Sequence, residues 1–233
     1  MLKRKITRYL EQHFVSASNK ILLVEGARQV GKSYVIREVG QRLFANYVEL
    51  NFVTDNEGVQ LFKNVHTVDE FYLRLSSVAG DRLGNYNDTL IFLDEIQCYP
   101  QYLTLLKFLR EEQKYRFIAS GSALGMALRH TTSIPVGSVI IKKMYPLDFE
   151  EFLWANNYGE NAISDLYNHF LNQQSLSEEQ HEQLLELFRR YLLVGGLPDV
   201  VNEYLATHNI LNVRNLQNAI AAMYEADASQ YEN

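Results

Sequence analysis

Ile21-Leu22-Leu23-Val24-Glu25-Gly26-Ala27-Arg28-Gln29-Val30-Gly31-Lys32-Ser33-Tyr34 runs from four apolar residues through a glycine-bounded loop into a segment with helical spacing. Gly26 to Ser33 fits GxxxxGK[ST], in which each fixed position has a mechanical reason. The glycines accept backbone conformations that other residues resist and let the chain approach an anion closely. Successive backbone N–H groups and the helix N-terminus then face phosphates, with the helix dipole favouring negative charge. Lys32 brings a cation to the β and γ phosphates, and the Ser33 hydroxyl is positioned for magnesium. The expected nucleotide contacts are Gly26, Ala27, Arg28, Gln29, Val30, Gly31, Lys32, Ser33 and Tyr34. For Arg28 and Gln29, an adenine-side, oligomer-facing or solvated role stays open.

The next informative string is Leu90-Ile91-Phe92-Leu93-Asp94-Glu95. Four apolar residues deliver two carboxylates to the carboxyl end of a buried strand, which is the ligand edge of an open α/β sheet. Asp94 is expected to hold magnesium, and Glu95 to orient and deprotonate an attacking water. Phe117-Ile118-Ala119-Ser120-Gly121-Ser122 is a further strand ending in hydroxyls. Ser122, or else Ser120, is placed to hydrogen-bond the γ-phosphate or the water, the other reading being a turn-forming serine.

Around these strings, helical spacing covers residues 3–14 (Ile6, Tyr9, Leu10, Phe14), 34–44 and 68–78. Strands are expected at 20–25, 47–52, 90–93, 116–120 and 136–142, and Pro100 opens a helix to about residue 112. Strands alternating with helices imply a mostly parallel sheet covered on both faces. The character changes after Pro146. Asp148 followed by Glu151 reads as a capping box, and an apolar stripe runs through Leu184, Leu185, Leu187, Phe188, Tyr191 and Leu192 to Gly195-Gly196, after which Pro198 starts another helix. The expected organisation is an α/β P-loop core over 1–146 and a small helical domain over 147–233, with 171–180 as a linker.

Composition narrows the function classes. At 233 residues and 47% hydrophobic, the chain can bury one full core and a smaller unit. No apolar run approaches the roughly 18 residues that cross a bilayer, and Lys3, Arg4, Lys5 and Arg8 are followed by Glu11, Gln12 and His13 rather than by a signal-peptide core. A cytoplasmic location without membrane attachment is expected. The lone Cys98 cannot form an internal disulfide and reads as structural, and the six histidines show no zinc spacing. A net charge of −6 argues against a surface devoted to nucleic acid.

Together GARQVGKS, LIFLDEIQ, FIASGSA, YPLDFEEFL and YLLVGGLPDVV resemble the prokaryotic, archaeal-type AAA family of P-loop ATPases, across nearly the whole chain. The resemblance implies an AAA+ core, a helical lid and ATP with magnesium. Gly26, Gly31, Lys32 and Ser33 match the nucleotide loop, Asp94 and Glu95 the magnesium and catalytic acids, and Ser122 the sensor. Two departures stand out. The family commonly carries Gly-Arg before its Pro-Leu-Ser/Thr-Phe-Glu-Glu segment, whereas Gly137-Ser138 stands here. Residues 224–233 resemble the entry to a C-terminal region of unknown function that does not follow, so a C-terminally shortened form is expected.

The leading expectation is an ATP-hydrolysing mechanochemical or regulatory switch, in which ATP is the ligand and a homo-oligomer or an unidentified DNA or protein partner receives the motion. The alternative is an ATP-sensing binding module with little hydrolysis that acts on DNA or a protein partner, and a small-molecule kinase ranks below both. Because an arginine is worth about 10³ to 10⁵ in rate at such sites, its absence at Ser138 predicts slow turnover, with Arg129 or a neighbouring subunit as substitute.

Overall fold

The computed structural model describes residues 2–122 and 137–229, which divide into two compact units, Lys5–Tyr145 and a second made of Met1–Arg4 with Pro146–Asn233. Arg129 lies outside the described residues.

The larger unit is built on a five-stranded, wholly parallel sheet. Its strands are β1 (Ile21–Glu25), β2 (Asn46–Asn51), β3 (Thr89–Asp94), β4 (Arg116–Gly121) and β5 (Val139–Lys143), arranged β2-β3-β4-β1-β5. β4 therefore separates the strand before the glycine loop from the strand bearing Asp94. Strands with both faces covered cannot alternate apolar and polar, and β3 is buried at all six positions.

Helices α1 (Lys5–Val15), α2 (Lys32–Leu43), α3 (Phe52–Glu57), α4 (Val68–Ala79) and α5 (Gln101–Glu112) cover the sheet. Ile21, Leu23, Leu50, Ile91, Leu93, Phe117 and Ala119, all of one strand parity, share a core with Phe71, Tyr72 and Leu75 of α4 and Leu103, Leu106 and Leu109 of α5. The leucine, isoleucine and phenylalanine side chains among these contribute about 1.5–3 kcal/mol each when fully buried. Asn51 caps α3 by accepting from Thr54 N at 3.0 Å, so Phe52 opens a helix rather than ending the strand expected through residue 52. Thr67 and Glu70 close a capping box on α4, a device worth about 1 kcal/mol.

The smaller unit comprises α6 (Phe149–Ala155), α7 (Glu160–Leu171), α8 (Glu178–Val194), α9 (Pro198–Thr207) and α10 (Ile210–Ser229). The expected Asp148–Glu151 box opens α6, and a second, Ser177–Gln180, opens α8. Leu147, Phe152, Val194, Val200, Val201, Tyr204, Val213 and Ile220 form its core. Glu151 also pairs with Arg4 in a buried ion pair, Nε to Oε2 at 3.2 Å.

Candidate functional site

β1 delivers the chain to the glycine loop at the carboxyl edge of the sheet. There Gly26 N donates to Gly121 O at 3.3 Å and Met144 N to Glu25 O at 2.7 Å, tying the loop entrance to the ends of β4 and β5. A Cβ at position 26 would lie 2.3 Å from the Met144 carbonyl oxygen, so only glycine fits. Gly31 has φ 91°, the left-handed region that glycine enters without steric cost. Between them Val30 is fully buried and anchors the loop, while Tyr34 is 53% exposed on the first turn of α2.

Lys32 is buried, and its ammonium donates to Gly26 O and Ala27 O, each at 2.9 Å. Burial pushes this ammonium below the usual lysine range, while the carboxylates of Glu95 and Asp94 pull it up and Arg28 adds to the depression. The side chain thus folds back over its own loop, held by carbonyls that a phosphate oxygen would replace.

Asp94 ends β3 and is 3% exposed. Ser33 Oγ donates to its Oδ1 at 3.0 Å and Oδ2 at 2.9 Å. Asn51 Nδ2 donates to Oδ2 at 3.1 Å, and Ser120 Oγ donates to Oδ1. Burial pushes the Asp94 carboxyl up, and the hydrogen bonds from Ser120 and Ser33 pull it back. Neighbouring Glu49 is engaged by both Arg37 nitrogens, at 2.8 and 2.6 Å, and by the Tyr47 hydroxyl at 2.8 Å.

Glu95 follows in the left-handed region at φ 54°, a strained position for a non-glycine residue. Its Oε2 accepts from Gln97 Nε2 at 2.5 Å and from Ser122 Oγ at 3.2 Å, and Gln97 Nε2 also donates to Ser122 Oγ at 3.1 Å. Gln97 Oε1 is buried and accepts no hydrogen bond among the described residues. The structure thus joins Lys32, Ser33, Asp94, Glu95 and Ser122 in one neighbourhood and assigns the two candidate serines differently: Ser122 to Glu95, Ser120 to Asp94. Asn51 and Gln97 were missed by the sequence reading. Asn51 stands in register with Asp94 across the β2–β3 ladder, a pairing with no signature in one sequence.

Among the described residues no group of three or more His, Cys, Asp and Glu could hold a metal ion. Magnesium keeps several waters and needs only one or two protein oxygens beside phosphates, so Ser33 and Asp94 fit it. Burial pushes the Cys98 thiol up to about 11.

Ser138 lies at the opposite edge. Its carbonyl accepts from Ile21 N at 3.0 Å, at the amino end of β1, and its buried hydroxyl accepts from Arg110 at 3.1 Å. The five residues of β1 place it roughly 16 Å from the loop. An arginine at position 138 would therefore not reach its own chain's phosphates, and Ser138 removes no cation from this site.

A parallel sheet with this strand order, a glycine loop feeding a helix, and a serine–aspartate pair across the central strands define a P-loop α/β ATPase core. The sequence matches the AAA domain family over residues 18–153, and the chain belongs to that family. No curated protein sequence matches the chain. Among solved structures, the Walker-type ATPase of Pyrococcus abyssi is similar at TM-score 0.57 and 13% identity, covering 100% of this chain and 77% of that one. That likeness shows the fold alone. The Aeropyrum pernix ORC1 protein in complex with DNA (TM-score 0.42, 18% identity, 64% and 46% covered) and C. elegans PCH-2 (TM-score 0.47, 14% identity, 91% and 63% covered) are too distant to carry an argument. No helix among the described residues is long and apolar enough to cross a membrane.

Proposed function

We propose that the chain binds ATP with magnesium on residues 26–34 and hydrolyses it with Glu95 as general base, the cycle acting as a mechanochemical or regulatory switch. The observation that carries this reading is the pairing of Ser33 with Asp94 immediately before Glu95. It supports the reading because a hydroxyl and two carboxylates meet at the mouth of one loop, a donor set that suits magnesium and a water-activating base.

Magnesium would be held by Ser33 and Asp94 and would supply charge neutralisation for the transferring group. The rest falls to the protein. The Ser33 proton points to Asp94, which leaves the serine lone pairs for the metal. Lys32 exchanges the Gly26 and Ala27 carbonyls for β and γ phosphate oxygens. Glu95 takes the proton of the attacking water through Oε1, since Oε2 is held by Gln97 and Ser122.

A second reading, ATP sensing with little turnover, is favoured by the two hydrogen bonds already on Glu95 Oε2, which occupy that oxygen with protein donors instead of water. ATP affinity and phosphate release measured on one preparation distinguish them. Tight binding with release above the uncatalysed background supports hydrolysis, and tight binding with release at background supports sensing.

A further inference from the structure

The helical unit carries a long apolar groove that its own fold leaves open. Phe149 and Leu153 of α6, Ile163, Leu166, Tyr167 and Phe170 of α7, and Leu184 of α8 line a groove of about 570 Å³. On α7 these positions form the i, i+3, i+4, i+7 stripe of an amphipathic helix, a face that normally packs against another element. Here Phe170 is 79% and Tyr167 55% exposed, and Leu171 beside them 72%. α8 continues the exposed surface: of its 17 residues only Val194 is buried, and Phe188, Leu192 and Leu193 stand at 40%, 66% and 47%. Contiguous apolar surface of this kind marks interaction sites.

The charges around the groove say what covers it. Residues 1–4 and 146–233 hold fourteen of the chain's 28 acidic residues but only five of its 22 basic ones. Glu150 lines the groove itself. Asp165 on α7 and Glu178, Glu179 and Glu182 on the first turns of α8 are exposed on the helices that wall it. Glu178 and Glu179 complement the dipole of α8 and Glu150 that of α6, but Asp165 and Glu182, each beyond the first turn of its helix, have no such role. His169 is the sole basic side chain in the lining, set 3.7 Å from Asp165.

We infer that this groove is a docking site for a cationic amphipathic helix of a partner protein. The apolar stripe of the partner fills the slot between α6, α7 and α8 and completes a helical layer, while its Lys and Arg residues meet the acidic rim. Helix-in-groove recognition has this form, with apolar anchors at helical spacing and flanking charges that set specificity. The inference is independent of nucleotide chemistry and supplies a receiver for the switch.

The test uses the full chain and two fluorescent synthetic helices of about four turns. Both carry leucine at i, i+3, i+4 and i+7, one with lysine at every other position and the other with glutamate there. Fluorescence anisotropy is expected to show the leucine–lysine helix binding at least about tenfold tighter than its twin, weakening as salt screens the rim. Phe170→Gln, at an exposed position that the fold does not need, should weaken that binding about tenfold, Phe170→Leu should retain it, and Glu182→Lys should weaken it while reducing its salt dependence. Equal affinity for the two helices, no binding of either, or full affinity in Phe170→Gln would overturn the inference. So would sedimentation as a dimer that Phe170→Gln dissociates, because the groove would then belong to a second copy of this chain.

Discussion

The Ser33 hydroxyl donates to both oxygens of the Asp94 carboxylate, at 3.0 and 2.9 Å, across 61 positions of sequence. With Asn51 and Ser120 also donating, the carboxylate has donors on each oxygen and is fixed before any ligand arrives. A buried charge held in this way costs folding energy, and its place at the loop mouth identifies what that cost serves.

Asp94→Asn should accordingly stabilise the ligand-free protein at neutral pH, because the amide keeps the shape and removes a buried negative charge. The melting temperature is expected to rise by about 2–4 °C, the shift that about 1 kcal/mol produces in a chain of this size. The same variant should lose the additional stabilisation that magnesium gives in the presence of ATP. A lower melting temperature without ligand would show that the carboxylate is a structural link instead.

Lys32→Ala should weaken ATP binding by at least about tenfold, the equivalent of about 1.4 kcal/mol, since the ammonium facing the phosphates is lost. Calorimetry on parent and variant measures it. Because the bonds of Lys32 among the described residues go to Gly26 O and Ala27 O of its own loop, circular dichroism should be unchanged. Unaltered affinity would move the nucleotide elsewhere.

At Gly26 the sequence and the structure agree for a reason that can be tested directly. Gly26→Ala places a methyl 2.3 Å from Met144 O, and the ends of β1 and β5 must separate to admit it. A loss of about 1–3 kcal/mol of stability is expected, read by urea unfolding, together with loss of ATP binding. A variant as stable as the parent would mean that the loop entrance is looser than its hydrogen bonds imply.

Much of this architecture was legible because it is local. The glycine loop, the apolar run before Asp94, the Asp148–Glu151 box and the Gly195-Gly196 stop all depend on residues within a few positions of one another, and each lies where its pattern placed it. What escaped depends on pairing. Asn51 reads as an ordinary strand residue until β2 lies beside β3 and brings it level with Asp94. The position of Ser138 became meaningful only once β5 was seen to run parallel to β1, starting at the amino edge. Phe52 was read as strand because its alternation continues, whereas the Asn51 cap turns the chain into a helix one residue earlier. The stripe on α8 was read as apolar, and half of it, Leu185, Phe188 and Leu192, is exposed, since periodicity reports that a face is apolar and not whether anything covers it.

Gln97→Ala should lower kcat about tenfold or more, a part of the 10² to 10⁴ that a positioned base supplies, while KM changes little. The reason is that Glu95 Oε2 loses its 2.5 Å donor and the carboxylate loses its orientation. Steady-state phosphate release gives both constants. A rise in KM with kcat intact would assign Gln97 to nucleotide binding.

The claim that Glu95 activates water is tested most directly by measuring ATP affinity and single-turnover phosphate release together in Glu95→Gln. The amide preserves the shape and its contacts with the Ser122 hydroxyl, but it cannot take a proton. Affinity within about twofold of the parent is expected, with release slowed by at least about 10². Release at the parental rate with affinity unchanged would contradict it and leave Glu95 as a structural residue of a site whose base lies elsewhere.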